Sequence, residues 1–480
     1  MKNLLKYSIL VLLTFNNLFS NGQISQKKRI EIELGEDYQN HQAYLFGENG
    51  LVLLSKIQEK SRAEIIYKFE IFDTDLNKKS NLEAAFPYER GRLFSYVDEN
   101  SIWLANYNDR SKTFSFMQYN MLQNSIKRHE IAFDEPLYPA DIIVLNDNIY
   151  IYGKLKKLPF IKIYSIKNKK TSAVDLGGFS KKSTVNLDLV RNPTQIHATF
   201  SNCENKKECD YLVLPFDENG KQLSKLILLE DYGENKLSSI STSSLKNGHY
   251  LATGTYSDKS YGSAQGVYIA SFDPLKKDFI KFYNFLDFKN FLSYLSERKQ
   301  AKIENKKARK KKNGKELKID YMMAIHDIIE YKNDFLFVGE AYYPTYRTET
   351  YTTFVNGVAA TRTRSVFDGY QYSHAAIAMF DKDGNMKWSN TFEMWLNYKP
   401  YFEKEFITTS IKDDVVSLVF VTGNEIKSIA FKNGEEVEKH GTKSNDCSYI
   451  ESETIVDDVK EIVYDIITEI YYDCSDISDC

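Results

Sequence analysis

Runs of apolar residues alternate with short polar turns along most of this chain. One kind of turn directly follows an aromatic residue, as in AMFDKDGNMKWSN at residues 378–390. Successive turns of this kind are 45 to 56 residues apart, except for one interval of 108 residues. The aromatic residues that open them are Phe72, Tyr119, Tyr164, Phe216, Phe272, Phe380 and Phe431. A pattern that returns at a nearly fixed period indicates a repeated structural unit.

A second kind of turn stands between those of the first kind. It places Asn-Gly pairs or other Asp- and Asn-rich residues between two apolar runs, which is the sequence form of a β-hairpin. Seven such turns alternate with the seven of the first kind, in segments such as DENSIWLANY at 98–107 and KDDVVSLVFVTG at 412–423. Each unit therefore predicts four antiparallel strands, a to d, with one turn joining a to b and the other joining c to d.

Four-stranded units that repeat at about 40–50 residues are the sequence form of β-propeller blades. We therefore predict an all-β fold of seven four-stranded blades, with six or eight blades as the alternatives. The interval of 108 residues contains one a–b turn, at Asn333, so its extra length predicts two insertions rather than an eighth blade.

The segment FDKDGNMKW allows three interpretations. Turn chemistry alone explains Asp381 and Gly384 as part of a c–d hairpin. A calcium loop through Asp381, Asp383 and Asn385 would need a downstream bidentate glutamate that is not in register here. Asp381, Gly384 and Trp388 resemble the blade turn of quinoprotein-type propellers, in which a tryptophan packs between neighbouring blades; kelch-type propellers are equally similar in architecture. We expect neither a metal nor a cofactor.

The first 22 residues have the form of a secretory signal peptide. Lys2 and Lys6 precede a short apolar segment, and the small and polar residues 20–22 follow it. We therefore expect an exported protein, either periplasmic or secreted. No later segment is apolar and long enough to span a bilayer.

The remaining chain divides into a propeller at 23–445 and an acidic, cysteine-containing tail at 446–480. Residues 28–35 alternate apolar and charged side chains, and we expect them to close the ring as the outer strand of the last blade. In the tail, apolar residues from Val456 to Ile470 follow a helical period, although β-branched residues weaken that prediction. The whole chain has 63 Lys and Arg against 66 Asp and Glu, an imbalance too small to indicate nucleic-acid binding.

Sequence motifs of common catalytic sites are absent: there is no GxSxG, HExxH, P-loop or GxGxxG segment. His326 lies in an apparent inner strand, MMAIHDIIEY, and is the best candidate for a residue that lines a central channel. The alternative is a hydrogen-bonded core histidine without a chemical role.

Both insertions carry features typical of binding surfaces. The first, at about 288–318, starts with apolar residues at helical spacing and continues with eleven basic and two acidic residues between Arg298 and Lys318. The second, at about 342–372, predicts a hairpin arm that turns at Asn356-Gly357. The candidate binding residues are Lys310, Lys311, Lys312, Tyr343, Tyr346, Arg347, Tyr351, Arg362, Arg364, Tyr370 and Tyr372. A solvated basic segment and simple packing of the arm remain the alternatives.

Loop topology adds to this prediction, because d–a and b–c connections of a propeller emerge on the same face. We therefore expect a monomeric binding module that uses this face, with an unknown protein or an anionic polymer as its partner. A propeller enzyme acting on an extracellular polymer such as a polysaccharide is the first alternative, and a structural component of an envelope complex is the second. No sequence-specific nucleic-acid binding and no membrane span are expected.

Five cysteines are present, and export would allow them to form disulfides. Cys203 and Cys209 flank a short loop between two strand-like runs, so we predict that they form a disulfide. Peptide mass spectrometry of the unreduced protein should show the two cysteines joined; recovery of both as alkylated thiols from oxidised protein would contradict this. Loss of the bridge should cost little stability, because the closed loop is short.

Overall fold

The computed structural model describes residues 38–443 with short gaps, and the two segments 449–451 and 468–470. The gaps are 58–63, 88–91, 177–178, 180–183, 204–208, 225–226, 230–234, 246–248, 259–262, 274–276, 356–357, 397 and 423–424. The expected signal peptide, residues 28–35 and most of the acidic tail, including Cys447, Cys474 and Cys480, lie outside the described residues. In the described part, no helix is long and apolar enough to cross a membrane.

Strands in the first half of the chain form four antiparallel sheets. Sheet 1 contains β1 (Tyr38–Leu45), β2 (Leu51–Ile57), β3 (Glu64–Phe72) and β4 (Lys78–Pro87). Sheet 2 contains β5 (Arg92–Val97), β6 (Ser101–Asn108), β7 (Thr113–Asn120) and β8 (Ser125–Ala132). Sheet 3 contains β9 (Tyr138–Leu145), β10 (Asn148–Leu155), β11 (Leu158–Ser165) and β12 (Lys170–Ala173). Sheet 4 contains β13 (Thr184–Arg191), β14 (Gln195–Cys203), β15 (Cys209–Asp217) and β16 (Ile227–Leu229).

Three similar sheets follow, two of which have a divided first strand. Sheet 5 contains β17 (Lys236–Leu237), β18 (Ser241–Ser244), β19 (Tyr250–Ser257), β20 (Gly266–Phe272) and β21 (Lys277–Asn284). An α-helix, α1 (Glu297–Lys312), comes next. Sheet 6 contains β22 (Met322–Ile325), β23 (Ile329–Tyr331), β24 (Asp334–Val355), β25 (Val358–Phe380) and β26 (Met386–Glu393). Sheet 7 contains β27 (Thr408–Lys412), β28 (Val415–Thr422), β29 (Glu425–Lys432) and β30 (Glu435–Lys443).

Within each of these sheets the strands follow chain order, so both kinds of sequence turn join neighbouring strands. The pairing of Phe72 with Lys78 across one turn and of Lys412 with Val415 across another confirms the predicted hairpins at these positions. Asp413 and Asp414 have φ of 50° and 65°, the left-handed conformation that a two-residue type I′ turn requires. Aspartate tolerates this conformation better than most residues.

The hydrophobic core is divided among the spaces between consecutive sheets. Every residue of β6, β19 and β20 is buried, so these central strands are covered on both faces. One apolar cluster joins sheets 1 and 2 through residues such as Phe69 and Tyr119, whose rings stack with centroids 4.8 Å apart. Similar clusters join each later pair of consecutive sheets through to sheet 7. Packing of sheet against sheet is therefore what holds the chain together.

The two ends of the described chain come close together. A short ribbon of β31 (Tyr449–Glu451) and β32 (Thr468–Ile470) places β31 beside β28 of sheet 7 and β32 beside β1 of sheet 1. The helical period expected in the tail is therefore wrong at Ile470, which lies in a strand. Sheet 7 already has β30 as its fourth strand, and the closing strand predicted at 28–35 is not among the described residues.

The register of sheet 4 places Cys203 and Cys209 directly opposite each other at the ends of β14 and β15. Directly opposed residues of antiparallel strands have Cα atoms close enough for a disulfide. The disulfide itself stays a prediction.

The turn at 381–385 connects sheet 6 to sheet 5. The Asp381 carboxylate accepts hydrogen bonds from the backbone N–H groups of Asp383 and Asn385, at 2.9 and 2.7 Å. Tyr283 of sheet 5 donates to the Gly384 carbonyl oxygen at 2.7 Å. Gly384 has φ +73°, and a Cβ there would lie 2.4 Å from Cε2 of Phe279. The segment is thus a hairpin turn of sheet 6 that packs against sheet 5. This packing and the turn geometry explain its Asp and Gly without a metal.

We expect Gly384→Ala to destabilise the protein by about 2–4 kcal/mol, because it combines left-handed backbone strain with a collision against Phe279. The matched control is Gly314→Ala, where φ is +65° but nothing lies within 4 Å of the added Cβ. That variant should lose only about 1–2 kcal/mol, the cost of the left-handed backbone alone. Thermal unfolding of both variants measures the difference, and equal midpoints would show that contact with Phe279 is unimportant.

Candidate functional site

Buried aromatic residues fix the start of the first insertion. Phe288, Phe291 and Leu292 are buried in the cluster between sheets 5 and 6. The helix that their spacing predicts does not form, since residues 288–295 make turns. Asn290 has φ 59°, a left-handed conformation that interrupts a right-handed helix. The apolar anchor was predicted correctly, but α1 begins later, at Glu297.

His374 of β25 is the centre of this anchor. Its ring stacks on Tyr294 with centroids 4.3 Å apart, and Phe291 approaches it edge-on at 4.7 Å. Burial lowers the pKa of His374 to about 3, so the ring is neutral at physiological pH. The insertion is therefore fixed to sheet 6 by an uncharged aromatic stack.

Helix α1 is an exposed, basic element on this anchor. None of its residues is fully buried. Ile303 is partly buried where it packs against the apolar cluster between sheets 5 and 6. Lys307 donates to the Leu286 carbonyl oxygen at 2.7 Å and lies 3.9 Å from Asp287. Eight other Arg and Lys residues of the helix have no ion pair among the described residues.

Like charges face each other along α1. Arg298 and Lys302, and Lys306 and Lys310, are four residues apart, a spacing at which equal charges destabilise a helix. The negative end of the helix dipole partly offsets this repulsion for the basic residues of the last turn, which include Lys310, Lys311 and Lys312. The unpaired charges of α1 would be stabilised by an anion.

The segment after α1 returns beside the b–c connection of sheet 5. Tyr321 and Ala264 form two backbone hydrogen bonds, of 2.6 and 2.9 Å, and Lys318 lies 3.6 Å from Asp258. Helix α1 therefore connects the base of the arm to the b–c end of sheet 5, as the shared face of d–a and b–c connections predicts.

The second insertion is a long two-stranded arm formed by β24 and β25. Beyond Tyr342 on β24 and His374 on β25, these strands pair with each other alone, up to Val355 and Val358. One face carries Glu349, which accepts hydrogen bonds from Arg364 at 2.8 Å and Arg347 at 2.9 Å. These hydrogen bonds hold the pKa of the Glu349 carboxyl below its usual value.

The predicted binding residues of the arm differ in accessibility. Those with exposed side chains are Tyr343, Tyr346, Arg347, Tyr351, Arg362 and Arg364. Tyr370 is half-buried, and its ring packs on Tyr342. Tyr372 is fully buried and donates to the Lys404 carbonyl oxygen at 2.7 Å, so it has no surface to offer a partner.

A loop that the sequence analysis did not single out, residues 394–407 between β26 and β27, packs against the arm. Tyr401 contacts Phe367 of the arm with ring centroids 5.9 Å apart, and Lys399 pairs with Asp368 at 2.7 Å. The density of aromatic residues in MWLNYKPYFEKEF was the signal available in the sequence. This loop is a d–a connection and lies on the same face.

Exposed aromatic rings concentrate at this place. Among the described residues, six of the eleven large hydrophobic side chains that are exposed lie on the arm or on residues 394–407. They are Tyr343, Tyr346, Tyr351, Trp395, Tyr401 and Phe402. Clustered exposed apolar side chains mark interaction sites more often than scattered ones do.

His326 lies between two carboxylates rather than alone. Its Nε2 is 2.7 Å from Glu340 and its Nδ1 is 3.3 Å from Glu405. The same Glu340 oxygen accepts the backbone N–H groups of Phe406 and Ile407, both at 2.8 Å. Burial alone would lower the pKa of His326, but the hydrogen bond to Glu340 and the nearby negative charges raise it. His326 therefore ties the 394–407 loop to sheet 6.

Within the described ranges, no group of three or more His, Cys, Asp or Glu residues is arranged to hold a metal ion.

No protein-family model matches this chain, and no curated protein matches it. Similar solved structures include a functionally unknown protein from Desulfotomaculum acetoxidans, with 9% sequence identity, TM-score 0.37, and coverage of 80% of this chain and 94% of that chain. The β-propeller domain of the Trilobed protease from Pyrococcus furiosus has 9% identity, TM-score 0.35, and coverage of 83% and 96%. The polysaccharide lyase Uly1 has 8% identity, TM-score 0.31, and coverage of 72% and 88%.

The sheets themselves define the class of fold. The chain is all-β, with repeated four-stranded antiparallel sheets consistent with a β-propeller.

We expect the contribution of His326 to stability to depend on pH. Because its folded pKa is raised above 6.5, its interaction with Glu340 should contribute fully below pH 6.5 and be lost as pH rises through the folded pKa. Unfolding free energies of the wild type and of His326→Gln, compared across pH, should differ by about 1–3 kcal/mol at low pH and by less at high pH. Subtracting the variant removes the opposite contributions of His197 and His374, whose pKa values burial lowers. A difference that grows with pH would contradict the assignment.

Proposed function

We propose that this chain is a seven-bladed β-propeller that acts after export and binds an anionic polymer. The binding face consists of helix α1, the arm and the 394–407 loop. An acidic polysaccharide suits it best, since the face offers both unpaired cations and exposed aromatic rings. The observation that carries the proposal is α1, an ordered helix of sixteen residues with no buried side chain.

A helix in a globular protein is normally stabilised by burying an apolar stripe. Helix α1 has no such stripe, and it carries same-sign pairs that oppose its formation. An anionic polymer would neutralise these charges over the length of the helix. The helix is therefore better explained as a charged binding element than as a packing element.

Exposed rings supply the second half of the recognition. Tyr346, Phe367 and Tyr401 form a connected aromatic surface at the base of the arm. Tyrosine and arginine dominate the energetics of many binding surfaces, and sugar rings present apolar faces that can pack on aromatic rings. Lipid headgroups share the negative charge but lack such apolar faces. Single-stranded nucleic acids combine negative charge with bases that stack on aromatic rings, and only the expected export of this chain disfavours them as its ligand.

The charge around His326 argues for binding rather than reaction of such a polymer. Glu340, Glu405 and Asp327 act together on His326, so the surroundings of this histidine are strongly acidic. Coulomb repulsion would keep an anionic chain away from His326 and Glu405, so such a chain would contact the 394–407 loop through exposed aromatic residues such as Tyr401. A polymer-degrading enzyme is thus the weaker of the two proposals for a polyanion.

We expect the full chain to bind polygalacturonate with an affinity that falls as salt rises, since exposed charges are screened over about 10 Å at 0.1 M salt. Replacing Lys310, Lys311 and Lys312 with Ser should weaken binding about tenfold at low salt, given about 0.2–1 kcal/mol for each exposed pair. The loss should shrink as salt is added. Titration calorimetry measures both effects.

A matched control replaces Lys167, Lys169 and Lys170 with Ser, because these exposed lysines lie in a c–d turn at the opposite end of the sheets. It should bind normally. Replacing Tyr346 and Tyr401 with Ala should weaken binding in a way that salt changes little. If the wild type bound polyglutamate equally well, charge alone would be recognised. If only the control variant lost binding, the binding site would lie on the opposite face from the one proposed.

A further inference from the structure

The first strands of sheets 2 to 5 form an inner layer of the structure. Strands β5 and β9, β9 and β13, and β13 and β18 lie beside each other, although they belong to different sheets. Asp141 of β9, Asp188 of β13 and Asp327, in the link between β22 and β23, are carried on this inner layer. Together they define what we call the acidic recess.

Neutral groups hold these three carboxylates in place. Tyr152 donates to Asp188 at 2.9 Å, and Ser241 donates to Asp327 at 3.0 Å. The backbone N–H of Ile142 donates to Asp141 at 2.8 Å. In the described part of the chain, no Lys, Arg or His nitrogen lies within 4 Å of any of the three carboxylates. The carboxylates are thus positioned by hydrogen bonds and form no ion pair there, although the nearby charges of Arg92 and His326 act to lower the pKa of Asp141 and of Asp327.

Solvent reaches all three carboxylates of the recess, since Asp141, Asp188 and Asp327 are exposed. Even so, burial among protein atoms raises the pKa of Asp141 and of Asp327, and the charge of Asp188 raises both further. Side chains that are accessible and yet surrounded by protein line a cavity rather than a convex surface. Because the charge of Asp188 acts on both Asp141 and Asp327, Asp188 lies close enough to both for electrostatic interaction.

A buried carboxylate beside the recess adds an independent observation. Glu340 is fully buried, and its Oε2 atom has no hydrogen-bond partner among the described residues, although Oε1 binds His326. A buried anionic oxygen without a donor is costly. The charges of Asp327 and Glu340 both act on Glu405, so the negative charge of the recess continues toward Glu340 through Glu405. Glu405, whose pKa burial and the neighbouring carboxylates raise, extends it to the 394–407 loop.

We propose that the acidic recess binds a small organic cation that carries two or more ammonium groups. The carboxylates act on one another through their charge, but no three of the described acidic, His or Cys groups converge closely enough to hold a single metal ion. An extended polyamine spans such separated charges, with one ammonium group near Asp188 and Asp327 and another toward Glu405. This site adjoins the polyanion-binding face at Glu405 of the 394–407 loop, but the proposal and its spermidine test do not depend on polyanion binding.

The test is calorimetric titration of the full chain with spermidine at constant low ionic strength. Asp188→Asn combined with Asp327→Asn keeps the shape of the recess but removes two charges, and it should weaken spermidine binding at least tenfold. The control is Asp147→Asn with Asp413→Asn, two exposed a–b turn residues at the opposite end of the sheets, which should leave binding unchanged. Circular dichroism establishes that each variant is folded.

Competition distinguishes a site from a general attraction of cations. Magnesium at matched ionic strength should displace spermidine poorly, and putrescine should bind more weakly than spermidine because it has fewer ammonium groups. Absence of spermidine binding in the wild type would overturn the proposal. Equal binding by the wild type and the recess variant, or equal displacement by magnesium, would do the same.

Discussion

Each sheet of this chain is apolar on both faces, and everything else in the structure depends on covering those faces. Central strands such as β6 and β19 have no exposed residue, so neither sheet is stable without a neighbour on each side. Burial at about 25 cal/mol per Å² makes this sheet-to-sheet packing the main stabilising term. The alternation of strands and tight turns follows from it, since each unit must present two flat faces to its neighbours.

A framework held together between its sheets leaves the connections at either end free to vary. On one end the connections are short turns, such as the one around Gly384 that docks on sheet 5. On the other end lie α1, the arm and the 394–407 loop, anchored by the stack of Tyr294 on His374. Elaborated loops on a rigid framework are where binding residues concentrate, because the framework fixes their positions without constraining their sequence.

The unpaired cations of α1 and the carboxylates of the acidic recess lie in different parts of this structure. Basic residues lie outside on α1, while Asp141, Asp188 and Asp327 line the acidic recess. The two sets do not neutralise each other, so each is available to a ligand of the opposite sign. His326 stands at the boundary, since it contacts Glu405 of the 394–407 loop and buried Glu340 of sheet 6.

The sequence by itself determined the hairpins, their order and the places of both insertions, because side-chain periodicity and turn residues act over a few neighbouring positions. It also placed the aromatic anchor, but not the interruption of its helix at Asn290. It did not distinguish buried Tyr372 from exposed Tyr346, since that depends on what the 394–407 loop covers. The acidic recess was decided by tertiary structure alone. Its carboxylates come from segments far apart in the chain, and their charges act together only after separate sheets have packed side by side.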